Sequence, residues 1–354
     1  MAHLSRLPAE LLVMIIGYLG PAFFKSDIRC LTLFKGWYPI ALSELLESIE
    51  IPAANLYKLL LPSDAKNRSI ELLQQHAKKL HFRFGGVYQM HHRFQSEEDS
   101  KEALIPLQQW ARYLRDRYRD VPSILNGCGR LQSLSFTVHE DTYQQRDPDD
   151  AAGDYIRTTK VAEDYILSPT IRDILSIAYT HKLTALELDL HGSACIMPSK
   201  TEDSSASSKA FLHLCPGISR LLSSPHLRRL VLCIDPICPV ALELHPETTQ
   251  ISLQELIVCI TPLAGLHSMA CYTVSRTARA AVIEDQARHI LTRMTRPKVV
   301  RVISHDGPKS QDIEGVYCLR IFDIITEKWD TDFVLTTEDN ISSPLDGKYM
   351  YIGI

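Results

Sequence analysis

Leu227-Arg228-Arg229-Leu230-Val231-Leu232 and Leu253-Gln254-Glu255-Leu256-Ile257-Val258 share one spelling, L-x-x-L-x-L, 26 residues apart. Leu131-Gln132-Ser133-Leu134-Ser135-Phe136 and Leu183-Thr184-Ala185-Leu186-Glu187-Leu188 repeat it upstream, so the leading positions step by 52, 44 and 26. Looser copies are Ala77-Lys78-Lys79-Leu80-His81-Phe82 and Pro297-Lys298-Val299-Val300-Arg301-Val302. Alternation with period two sends Leu134 and Phe136 to one side and Ser135 and Thr137 to the other, which is a strand with one apolar face. One such strand cannot bury that face alone, so the repetition predicts neighbours stacked side by side.

Helical patterns fill the gaps. Ser168-Pro169 opens a helix with Ile171, Ile174, Leu175 and Ala178 on one face. Leu107, Trp110, Ala111, Leu114 and Tyr118 form another stripe, with Arg112, Arg115, Arg117 and Arg119 largely on its wet side. Phe211, Leu214, Ile218, Leu221 and Leu222 form a third, split by Pro216-Gly217, and a long helix covers about Ser275–Met294 before the last copy. Helix followed by strand, over and over, predicts an α/β fold with a parallel sheet. Val316–Phe322 and Lys328–Leu335 read as a closing hairpin. Glu140–Asp154 and Ser199–Lys209 are too polar to offset their ordering entropy and read as flexible insertions.

The repeated strand resembles the core of a leucine-rich repeat, whose units run ~20–29 residues. The longer steps leave room for insertions, and the Asn expected three positions past the last Leu is replaced by His139, His191, Asp235 and Thr261. The expected fold is therefore an irregular α/β solenoid over residues 51–310, capped by 311–354.

Residues 1–50 differ in kind. Leu7-Pro8-Ala9-Glu10 opens an apolar helix through Leu11, Leu12, Ile15, Ile16 and Leu19, ended by Gly20-Pro21. Ser26-Asp27 caps a second helix with Ile28, Leu31 and Phe34 on one face. Gly36 closes it, and Trp37 begins a third helix to about Ile49, with Ile40, Ala41, Leu45 and Leu46 inside. Leu-Pro-x-Glu, an apolar helix, Asp27-Ile28 with Leu31, then Lys35-x-Trp37 resemble the F-box, a small three-helix unit. The resemblance implies docking on a Skp-family adaptor, and through it on a cullin-RING ubiquitin ligase, with the chain acting as a substrate receptor. Leu7, Pro8, Leu11, Leu12, Ile15, Ile16, Leu19, Leu31 and Trp37 are then the expected adaptor anchor, some of them also holding the unit together. An F-box ahead of irregular repeats is similar to many fungal F-box proteins.

The expected target surface is the non-core face of the strands. It comprises His81, Arg83, Ser135, Thr137, Glu187, Asp189, Arg229, Val231, Glu255, Ile257 and Arg301. Mixed charges in line suit recognition of an unidentified protein segment by complementarity.

Other classes find little support. Net charge is −4, which gives no electrostatic case for nucleic acid or an anionic membrane, and no stretch reads as long enough to span one. Nine scattered cysteines and no secretory leader suggest cytoplasm or nucleus. Phosphate-loop, nucleophile-elbow and paired C-x-x-C motifs are lacking, so neither cofactor nor metal is expected. His76, His81, His91 and His92 near Glu97, Glu98 and Asp99 lack helical ligand spacing. Two alternatives stand beside the receptor: a non-catalytic scaffold, and a hydrolase assembled from Asp189, His191 and Ser193. Cys233 and Cys259 fall in one register, ~5 Å apart if their strands are parallel, and are read as two small residues on a crowded face rather than a redox pair.

Overall fold

A computed structural model describes residues 7–60, 64–84, 116–138, 142–146, 156–160, 168–190, 214–234, 237–260, 276–306 and 316–335. The strands are β1 Ser48–Pro52, β2 Lys79–Phe84, β3 Ser133–Val138, β4 Thr142–Arg146, β5 Ile156–Lys160 and β6 Ala185–Asp189. They continue as β7 Arg229–Cys233, β8 Glu255–Ile260, β9 Val299–Asp306, β10 Val316–Asp323 and β11 Lys328–Leu335. The helices are α1 Ala9–Ser26, α2 Tyr38–Glu47, α3 Ala53–Leu60, α4 Asp64–His76 and α5 Val121–Asn126. Then come α6 Ser168–Thr180, α7 Cys215–Leu222 and α8 Arg276–Arg293.

Nine strands form one sheet in the order β1-β2-β3-β6-β7-β8-β9-β10-β11, parallel as far as β9 and antiparallel through the closing hairpin. The fold is thus α/β with a mixed sheet. All six quoted copies lie on strands and align. Leu80, Leu134, Leu186, Leu230, Leu256 and Val300 stand in one row, and Phe82, Phe136, Leu188, Leu232, Val258 and Val302 in the next. Both rows are buried among the apolar faces of α4 to α8, while each leading Leu (131, 183, 227, 253) is buried beside them. At ~1.5–3 kcal/mol per fully buried aliphatic side chain, these rows are the main favourable term in the fold. Phe82 and Phe136 stack across the β2–β3 pair with ring centroids 4.8 Å apart.

Along the parallel part of the sheet, successive strands from β2 to β9 begin with the same backbone device. The carbonyl of Lys78 accepts N–H bonds from Gln132 and Ser133, and that of Gln132 from Thr184 and Ala185. Thr184, Arg228 and Gln254 carry the series on to Lys298 and Val299. The residue before each strand thereby ties its unit to the next, satisfying groups that would otherwise be orphaned. Lys78 itself donates to the Glu47 carbonyl at 3.0 Å, which adds a copy that the sequence reading missed. Leu46-Glu47-Ser48-Ile49-Glu50-Ile51 spells the same pattern, and β1 pairs with β2 in its register.

Several expectations change here. The third helix does not reach Ile49; α2 ends at Glu47 and β1 follows, so the boundary drawn at residue 50 falls inside a strand. The polar run at 140–154 contains β4, which pairs antiparallel with β5 apart from the main sheet. Pro216 does not split its helix but sits in the first turn of α7, where the missing amide is harmless. The stripe from Leu107 to Leu114, and Ser199–Lys209, lie outside the described residues, whereas Tyr118 is buried.

In the N-terminal unit, Gly20 breaks the helical path with φ 71°, ψ 170°, and Pro21 begins another turn as far as Ser26. The second helix is a single 3₁₀ turn, Ile28–Thr32, capped by the Asp27 carboxylate, which accepts from the Arg29 N–H at 3.0 Å. The Trp37 indole N–H donates to the Cys30 carbonyl at 2.7 Å, closing that turn onto α2. α1 also has the length and apolar content of a membrane span, contrary to the sequence expectation. Its kink at Gly20 divides the straight ~27 Å that 18 helical residues would give.

Candidate interaction surfaces

The N-terminal unit has a small core of its own: Leu12, Ile16, Phe24, Leu31, Trp37 and Ala41. Phe24 and Phe34 flank the Trp37 ring at centroid distances of 6.2 and 5.8 Å. Leu12, Ile16, Leu31 and Trp37 therefore hold the unit together and present little to a partner. Leu7, Ile15 and Leu19 are half-buried against that core, and Pro8 and Leu11 are exposed. Outside it stand Leu11, Val13, Met14, Tyr18, Phe23, Ile28, Leu33 and Tyr38, among which Met14 is 69%, Ile28 68% and Tyr18 93% exposed. Sequence periodicity assigned Ile28 to the buried face, but it is the first residue of the 3₁₀ turn and stands exposed while Leu31, three residues on, is buried. Val13, Met14 and Tyr18 were missed because they lie off the apolar stripe. The signal available was an apolar helix with more hydrophobic residues than one face can bury.

The second surface is the sheet face opposite the helices. All eleven expected residues do fall on it, in three rows. Arg229 and Glu255 share the first; His81, Ser135, Glu187, Val231, Ile257 and Arg301 the second; Arg83, Thr137 and Asp189 the third. Exposure varies within the rows. Thr137, Asp189 and Val231 are buried and cannot meet a partner directly, whereas Arg83, Arg229 and Arg301 are exposed.

The charges on this face are matched across strands. Arg229 lies 3.7 Å from Glu187 and 3.6 Å from Glu255, bridging three strands. Arg83 meets Glu50 at 3.6 Å and Arg301 meets Asp323 at 3.1 Å. Half-exposed pairs like these add little stability, ~0–1 kcal/mol each, but they fix where each charge is presented. Partial burial works to raise the Asp323 pKa, yet hydrogen bonds from Thr326 and Arg301 prevail and hold it below the ordinary carboxylate value. The His81 ring nitrogen Nε2 lies 2.9 Å from Thr137 Oγ1.

Among the described residues no group of three or more His, Cys, Asp or Glu could hold a metal. His191 and Ser193, like His91, His92 and Glu97–Asp99, lie outside the described residues. His76 shares a hydrogen bond of 3.3 Å with Ser43. A shallow cleft of about 620 Å³ runs between Leu242–Pro246 and α8, where Gln286 Oε1 is buried without a partner. The Thr292 hydroxyl beside it donates to its own helix, at the His289 carbonyl. Comparison with protein-family models, with curated proteins and with solved structures yields no match to this chain.

Proposed function

We propose that this chain is a non-catalytic substrate receptor of an SCF-type cullin-RING ubiquitin ligase, working in cytoplasm or nucleus. In this reading the N-terminal unit is an F-box docked on a Skp-family adaptor, and the sheet is an irregular leucine-rich-repeat-like solenoid whose outer face holds a target protein. One observation carries the reading: the apolar side chains crowded on the outside of a helical unit that opens Leu7-Pro8-Ala9-Glu10. Exposed apolar area of this kind marks a docking surface. Leu11, Met14, Tyr18 and Ile28 take the contact role that the buried Leu12, Ile16, Leu31 and Trp37 cannot. On the outer face the contact set contracts to the accessible residues, led by Arg83, Arg229, Glu255 and Arg301. The receptor performs no bond-making step; it raises the target's local concentration beside the reactive thioester.

Co-purification with a Skp-family adaptor tests this. Full-length protein should bind, and Leu11→Ser/Met14→Ser/Tyr18→Ser should not, while keeping the wild-type circular dichroism spectrum. Equal binding by both proteins sinks the docking surface. Removing residues 1–50 is a poorer test, since it cuts β1 in two. The apolar content of α1 favours a second reading, a membrane attachment. It predicts sedimentation with neutral lipid vesicles and no adaptor binding. A scaffold that recruits no target is separated by target lifetime, which its deletion leaves unchanged.

A further inference from the structure

Cys233 and Cys259 close the shared register of β7 and β8 on the outer face. They are directly paired across the parallel strands, with Cα atoms 4.6 Å apart and their sulfurs in contact. That separation lies inside the ~4.4–6.8 Å range that disulfides bridge without backbone movement. Both are 1% exposed, in an apolar patch with Ile257, Ile303 and Ile321. We propose that Cys233 and Cys259 form a reversible disulfide that staples β7 to β8, an inference independent of the proposed function.

Hydrogen peroxide is the oxidant class that suits so enclosed a pair. One thiol loses its proton and attacks a peroxide oxygen; the O–O bond breaks, leaving a sulfenic acid and one water. The second thiol then attacks the sulfenic sulfur, the S–S bond forms, the S–O bond breaks and a second water leaves. Two thiols have given up two electrons and two protons, and peroxide has become two waters. A thiol reductant reverses the bond by exchange. Burial slows the first step, because apolar surroundings disfavour the thiolate. The staple fixes the same strand pair that carries the Arg229–Glu255 contact, at the opposite end of the shared register.

Full-length native protein is treated with hydrogen peroxide, unfolded without reductant, alkylated with iodoacetamide and digested. The expected product is one linked peptide pair containing Cys233 and Cys259, two hydrogens lighter than the separate thiols and lost after dithiothreitol. Wild-type Tm should fall on reduction, and that of Cys259→Ala should not change. Recovery of both cysteines alkylated, or oxidised singly to sulfinic acid, overturns the proposal. So does a link from either of them to another cysteine. The chemical mapping uses the wild-type chain alone, so misfolding of the variant would not rescue the idea.

Discussion

The N-terminal unit and the sheet solve the burial problem in opposite ways. Along the sheet, apolar rows run without a gap from Ile49 to Val300, each strand covering the next. Beyond residue 47, among residues whose side chains are described, the large exposed hydrophobics are Val282, Ile325 and Trp329. Residues 11–38 expose eight, against a core of six in the whole N-terminal unit. A repeating element finishes its core by adding another copy of itself, and a three-segment helical unit cannot. Its surplus apolar surface, rather than any single motif, is what supports the proposed partner at that end.

Breaking the smaller core should have the largest effect. Trp37→Ala removes the ring against Phe24 and Phe34 and the hydrogen bond to Cys30, at a cost of about 3–5 kcal/mol. If the two regions are as separate in their packing as their cores, early protection in hydrogen exchange is lost over residues 9–47 while β6 to β8 stay protected. Loss of protection throughout would mean that the α2–β1 junction couples them fully. Next in size is Leu230→Ala at the centre of the sheet, about 2–5 kcal/mol, which should lower the urea midpoint of the whole transition. A local effect there would break the picture of a continuous core.

The sheet was legible in sequence because its signal is periodic and repeated: alternation fixed which side chains face in, and copies at matching positions fixed the register. Burial along each strand was not legible, so Thr137, Asp189 and Val231 looked like surface residues. The copy at Leu46–Ile51 was hidden because its leading Leu lies inside a helix, and a helical period masked the adjoining strand. In the N-terminal unit most of the buried face was legible, but Leu11 and Ile28 are exposed and α1 runs on past Gly20 to Ser26. The 3₁₀ turn at Ile28–Thr32 leaves its first residue outside the core, and Gly20 resets the helical phase for Pro21 to Ser26. Sulfur contact between Cys233 and Cys259 is a matter of side-chain direction, which register alone leaves undecided.

A smaller effect sharpens the same comparison. Met14→Ser/Tyr18→Ser should change stability by no more than about 0.5 kcal/mol in the isolated chain, since both side chains stand largely in solvent. Chemical denaturation measures this. A large loss would mean that these residues belong to a core after all, and that the helical unit has no surplus to offer.

The smallest expected effect is electrostatic and again contrasts the two regions. Asp27 and Asp323 each accept a backbone N–H and an arginine, and both have lowered pKa values. For Asp27 the causes are hydrogen bonds with Arg29, and for Asp323 the opposing effect of burial is overcome by hydrogen bonds with Thr326 and Arg301. A carboxyl with a lowered folded pKa binds fewer protons when folded than when unfolded. Its contribution is therefore present above the unfolded value of ~3.9 and is lost as pH falls through the folded value. The Arg29–Asp27 pair is open to water, with Arg29 88% exposed, whereas Asp323 is only 22% exposed beside Arg301, so screening takes less of its interaction. Replacement by Asn keeps one oxygen for the backbone bond, removes the charge and puts an NH2 where the second carboxylate oxygen accepts from arginine. Asp323→Asn should lower Tm slightly at pH 7, with the difference from wild type closing towards pH 3, and Asp27→Asn should leave Tm unchanged at both. A pH-independent loss for Asp323→Asn would assign its role to turn geometry at Thr326, and the charge matching across the outer face would then be incidental to the fold.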